Sequence, residues 1–162
     1  MLPVAAFATT IVPHTLVQRA QASDRVAMVQ VLSRRVEGTA NALKTITEVA
    51  VGDDIRGTGP SHLSIVQIGG SANGYELHIP GDASFDIGEV SLVFLRCDGS
   101  RCGLVALGEG KVQITGDTAV VHDLFTDEIV RRPLRAVLDE IRGVPPVVKP
   151  GAGTGVGTAV HP

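Results

Sequence analysis

From residue 25 to residue 124 the sequence runs as short Val-, Leu- and Ile-rich stretches separated by turn signals. They are "RVAMVQVLS" (25–33), "LKTITEVAVG" (43–52), "LSIVQIGG" (63–70), "GYELHIPG" (74–81), "EVSLVFLRC" (89–97), "CGLVALG" (102–108), "KVQITGD" (111–117) and "TAVVHDL" (118–124). Each is too short for a typical helix, and a spacing of roughly ten residues is that of strands in a small barrel or sandwich. The first, with its run of Val, Met and Leu, reads as a central strand buried on both faces. The second alternates, with Leu43, Thr45, Thr47, Val49 and Val51 on its drier face. "EGTAN" (37–41) and "GDDIRGTGPSH" (52–62) read as connections, and Gly116–Asp117 as a tight hairpin turn.

Two stretches break this pattern. In "TLVQRAQA" (15–22) Thr15 is a candidate N-cap, and Leu16, Arg19 and Ala20 recur at helical spacing. In "PLRAVLDEIRG" (133–143) Leu134, Val137, Leu138 and Ile141 form an amphipathic stripe, with Pro133 in the first turn and Gly143 past the end. Residues 9–143 are thereby expected to form a single β-barrel domain, followed by a Pro/Gly-rich tail at 144–162. With 44% hydrophobic residues but four Phe, one Tyr and no Trp, the core must be aliphatic.

Charge excludes one class of partner. The net charge is −3, and the adjacent basic pairs Arg34–Arg35 and Arg131–Arg132 have almost no aromatics to stack bases on. They read as solvated surface, so no nucleic-acid partner is expected. No apolar run reaches the length that spans a bilayer as a helix, so no transmembrane span is expected. "MLPVAAFA" (1–8) ends in an Ala-x-Ala pattern of the kind signal peptidase cuts after, and reads as the remnant of an export signal. The alternative is an ordinary apolar N-terminal strand.

Cys97 and Cys102 enclose "DGSR", with Asp98–Gly99 as a turn signal between strand-like flanks. Opposed positions at the base of a hairpin bring two Cα atoms within disulfide reach. Zinc would need further ligands, and a redox pair of the thioredoxin kind needs a shorter spacing on a helix. A disulfide is expected, with two free buried thiols as the alternative, and it fits an oxidising compartment: periplasmic or extracellular.

No catalytic residue, metal ligand or cofactor site is legible. His14, His62, His78, His122 and His161 lack the carboxylate spacing of a metal motif. Ser61–His62 are mere sequence neighbours. "GAGTGVG" (151–157) follows no strand and opens no helix, so it is not a phosphate loop. "DASFDIGE" (82–89) reads as a turn, with a weak surface calcium site as the alternative, because Ile87 occupies the position where an EF-hand needs glycine.

The order of "TTIVPHTL", "SDRVAMVQV", "TITEVAVGDDIRG", "QIGG", "IPGDASFDIGEVSLVFL" and "LVALGEGKVQI" resembles that in a group of small, uncharacterised exported bacterial proteins, over about residues 9–142. The plan is distantly similar to the OB-fold of netrin and tissue-inhibitor-of-metalloprotease domains. The resemblance implies a mostly β fold, a small OB-like β-barrel of about six to eight strands with a short N-terminal and a C-terminal amphipathic helix. It implies no activity. Those inhibitors chelate zinc through an N-terminal Cys-x-Cys, and Thr9–Thr10 at the expected mature start have no cysteine.

The expected function is an exported non-catalytic binding or interaction module whose partner is a protein or cell-envelope component. A structural or surface-assembly subunit is the first alternative. A hydrolase whose residues converge only in three dimensions, from Asp24, Glu89, His78 or His122, is the second.

Overall fold

Two strands carry the architecture because each is buried on both faces. β1 (Arg25–Glu37) and β6 (Val90–Asp98) lie side by side, antiparallel, with Val26 opposite Phe94 and Met28 opposite Leu92. Alternate residues point to opposite sides of a sheet. On one side Val26, Leu92 and Phe94 join a core with both helices; on the other Ala27, Val29, Val31, Val93 and Leu95 fill the barrel interior with Phe85, Val49, Leu63 and Ile65. The Val-, Met- and Leu-rich stretch at 25–33 therefore has the physical cause expected of it, but only as far as Val31; beyond that β1 continues at the surface to Glu37.

The computed structural model describes residues 12–123, 126 and 128–145. β1 pairs on its other edge with β2 (Lys44–Arg56), β2 with β3 (His62–Ile68), and β3 runs parallel to β7 (Arg101–Leu104), which returns to β6. These five strands close into a barrel, which fits a small OB-like barrel. β8 (Lys111–Thr115), β9 (Thr118–Asp123) and β10 (Glu128–Pro133) extend the sheet from β6 as a meander. β4 (Gly70–Ala72) and β5 (Tyr75–Leu77) form a separate hairpin. The helices are α1 (Leu16–Ala22) and α2 (Leu134–Arg142), one short and N-terminal, one C-terminal.

Several boundaries differ from the sequence reading. Among the described residues there are ten strands rather than six to eight. β10 has only Ile129 and Val130 as apolar residues, too few to show an alternation, so Arg131–Arg132 lie in a strand. The connection expected at 52–62 is shorter, because β2 runs on to Arg56. Asp54 can stay in the strand because its carboxylate receives both prongs of the buried Arg25 guanidinium, at 2.6 and 3.1 Å. The run "CGLVALG" is strand only to Leu104 and then bends into a 3₁₀ turn, Leu107–Gly110. α1 has the expected cap: Thr15 accepts from the Gln18 N–H while the Gln18 side chain accepts from the Thr15 N–H, a reciprocal box.

Val144, at the start of the expected tail, is buried in the helix-side core, and Arg56 donates to the carbonyls of Val144 and Pro145, at 2.8 Å each. Residues 1–8, the rest of the tail with "GAGTGVG", and His161 lie outside the described residues.

Candidate functional site

The Cys97–Cys102 disulfide is formed, with the two Cα atoms 4.1 Å apart. It joins directly opposed residues of the β6–β7 hairpin. The turn lies one residue later than the sequence reading placed it: Asp98 still pairs with Arg101, and Gly99–Ser100 make the reversal, with Gly99 at φ +62°. A two-residue hairpin loop needs that left-handed backbone, which glycine adopts without strain. Asp24 is part of this clasp, its carboxylate accepting from the Cys97 N–H at 3.2 Å.

A cleft of about 470 Å³ lies where β7 gives way to the 3₁₀ turn. Its rims are the 81–84 loop and the turn at Ala106–Glu109; β8, β9 and β10 supply Lys111, Val120, His122 and Ile129. Ala106 and Leu107 are consecutive left-handed residues, at φ +55° and +52°. For residues with a Cβ this conformation costs about 1–2 kcal/mol each. The turn is pinned from several directions: Val105 N–H donates to Phe94 O at 2.9 Å and Gly108 N–H to Gly81 O at 2.9 Å. Gly108 permits that approach, because a Cβ there would lie 2.4 Å from Gly81 O. Leu107 is left half in solvent, and Ile129 across the cleft is 70% exposed.

Beneath the turn lies a buried ionic cluster. Glu109 takes the His14 N–H at 2.9 Å on Oε2, and Arg19 Nε stands 3.5 Å from the same oxygen. Arg19 also donates to the carbonyls of His14 and Glu109, at 2.9 and 3.1 Å. Its guanidinium is almost fully buried, which pulls its pKa below the ordinary value against the opposing charges of Glu109 and Asp123. Glu109 Oε1 is buried without a hydrogen-bond partner. The cluster ties α1 to the strained turn, so the cleft rim and the N-terminal helix are one mechanical unit.

Lys111 forms the cleft's second ionic feature. Its ammonium lies 2.5 Å from Glu89 Oε1, donates to Ser84 O and sits 4.8 Å above the Phe85 ring. Burial works against ionisation of Glu89, but hydrogen bonds from Lys111, Ser91 and the Asp86 N–H, with the charge of Lys111, outweigh it and hold its carboxyl below the usual range. In the 82–89 segment Asp82 is engaged by Gln67 and Ala83 and Glu89 by Lys111, so these acids tie the segment to the barrel. Among the described residues no group of three His, Cys, Asp or Glu side chains is placed to hold a metal ion.

The four residues named for hydrolysis are not brought together. Asp24 serves the hairpin clasp and Glu89 underpins Lys111. His78 lines a separate cleft of about 310 Å³ beside Gln67 and Asp82, while His122 lies on the wall between the 470 Å³ cleft and a third of about 210 Å³ near Pro13. Ser61 Oγ lies 3.3 Å from His62 Nδ1 on the exposed surface. Sequence reasoning missed Arg19, Arg25 and Glu109, whose partners are far along the chain; the one signal was Arg19's position on the apolar stripe of α1. Compared with known proteins, the chain matches no family model and no curated sequence.

Proposed function

We propose that this chain is an exported, non-catalytic binding or interaction module that engages a protein or cell-envelope component through the cleft between the Ala106–Glu109 turn and β10. The observation that carries the reading is the pair of left-handed, non-glycine residues at the rim. Strain of this kind persists where surrounding contacts over-determine it, and it clusters at ligand clamps. Here it presents Leu107 to solvent opposite Ile129, giving the cleft apolar lips with Lys111 and Gln113 as polar groups in its lining, a composition suited to recognition.

Two features support export: the Cys97–Cys102 disulfide, which persists in oxidising compartments, and the Ala-x-Ala pattern of residues 1–8. No described helix is long and apolar enough to cross a membrane. A distant relation to netrin and metalloprotease-inhibitor OB-folds is part of this proposal; the closed barrel is compatible with it, and no residue role is carried over from it.

The test is retention from envelope extract on immobilised oxidised protein, wild type against Leu107→Asp. A partner held by wild type and lost by the variant, with both folded by circular dichroism, is the expected result. No specific partner, together with turnover on a panel of hydrolase substrates, overturns the reading.

A further inference from the structure

β10 is the last strand of the eight-stranded sheet, and among the described residues nothing pairs with its outer edge. Its direction of hydrogen bonding can be read from one bond. Leu134 N–H donates to Asp117 O at 2.8 Å, just past the Pro133–Thr118 pair. Bonded and non-bonded pairs alternate along an antiparallel ladder. In this register Arg132, Val130 and Glu128 bond inward to β9, while Ile129 and Arg131 turn their N–H and C=O groups outward. Pro133 offers outward only a carbonyl.

An edge of this kind is normally blunted with charge and proline against indiscriminate pairing. On β10 the charges are ordered rather than scattered: Glu128 at one end, Arg131 and Arg132 at the other, Val130 midway between Glu128 and Arg132. Glu128, Ile129, Val130 and Arg131 are all exposed. The geometry points to a second copy of this chain as the occupant of this edge, paired antiparallel about a two-fold axis at Val130.

In that register Ile129 and Arg131 of opposite copies exchange backbone hydrogen bonds, which satisfies the outward groups of both strands. Val130 meets Val130 as a non-bonded pair, and Glu128 of each copy stands opposite Arg132 of the other on the same face. Arg132 is already steadied by Glu140 at 2.6 Å, so its guanidinium is held in place to accept a second carboxylate. Opposite charges directly across a pair stabilise it and like charges destabilise it. Sliding one copy by two residues in one direction sets Arg131 against Arg131 and puts Pro133, without an N–H, opposite Ile129. Sliding it the other way leaves Glu128 facing Val130. The charge order thus favours a second copy in this register over the slide that opposes Arg131 to Arg131, independently of what the cleft binds.

Val130→Cys tests the arrangement, because both native cysteines are already joined to each other. Non-bonded antiparallel pairs bring Cα atoms to about 4.5 Å, within disulfide reach. The variant is expected to give a covalent dimer on non-reducing gels under mild oxidation, ahead of Ile129→Cys and Arg131→Cys taken singly. Mixing those two is expected to give the heterologous cross-link. Wild-type protein is expected to sediment as a dimer, and Glu128→Arg to raise its dissociation constant at least tenfold. Wild type that stays monomeric in sedimentation up to millimolar concentration overturns the proposal, and so does a dimer in which Ile129→Cys cross-links to itself faster than Val130→Cys.

Discussion

Replacing Arg19 by methionine removes a buried cation while keeping much of the side chain's length. In the folded protein Arg19 is 4% exposed and Glu109 9%. The substitution leaves the Glu109 carboxylate buried, with the His14 N–H at 2.9 Å and the His14 Nδ1 at 3.3 Å as the remaining close groups on Oε2 and with Oε1 already without a partner. Stranding one partner of a buried ion pair costs about 3–5 kcal/mol. In a chain of this size that lowers the melting temperature by about 2–4 °C per kcal/mol, so by roughly 6–20 °C. The double variant Arg19→Met/Glu109→Leu strands no charge and is expected to recover most of the loss, because a buried pair replaced by apolar residues is often neutral or stabilising. Urea titration of wild type, both single variants and the double, with the disulfide intact, gives the coupling directly. A double variant whose destabilisation equals the sum of the singles refutes the reasoning, since Arg19 and Glu109 would then act independently.

Ala106→Gly relieves a left-handed Cβ residue at about 1–2 kcal/mol but adds flexibility to the unfolded chain at about 0.4–1 kcal/mol, so a net gain of about 0.5–1 kcal/mol in urea denaturation is expected. Reducing the Cys97–Cys102 bond, or replacing both cysteines by serine, opens a loop of sequence separation 5 and costs only about 2 kcal/mol in the chain-entropy model, so the reduced barrel is expected to stay folded by circular dichroism at 25 °C. Glu89 has its carboxyl depressed in the folded state, so its contribution is fully present above its unfolded value near pH 4.3 and is lost as pH falls through the lower folded value. Glu89→Gln is therefore expected to flatten the acid limb of stability against pH, and an unchanged limb would show that Lys111 and Ser91 do not favour the ionised form.

The barrel was legible because strand periodicity and turn chemistry are local signals. Gly116–Asp117 and Thr15 are where the sequence puts them, since a hairpin turn and an N-cap depend on immediate neighbours. The disulfide was legible from the turn signal between the two cysteines, their strand-like flanks and the export reading, with free thiols as the alternative. The ends of strands were less legible. Asp53 and Asp54 look like turn residues until Arg25, 29 positions before Asp54, supplies the countercharge that holds Asp54 within β2. β10 has no pattern of its own and exists because β9 offers it an edge. The cleft was not legible at all: its rim depends on two left-handed residues that are ordinary alanine and leucine in the sequence, and on an ion pair between positions 19 and 109.

β1 and β6 stand between two cores, and this has a consequence for how the protein comes apart. A barrel and a helical layer that met through separate strands could open one at a time. Here Val26 and Ala27, or Phe94 and Leu95, are adjacent residues committed to different cores, so neither core can melt without exposing the other. The backbone amides of Val26–Val29 and Leu92–Leu95 should exchange with solvent only through global unfolding, while the β4–β5 hairpin exchanges through local opening. Loss of the helices and loss of the barrel should then appear as a single event.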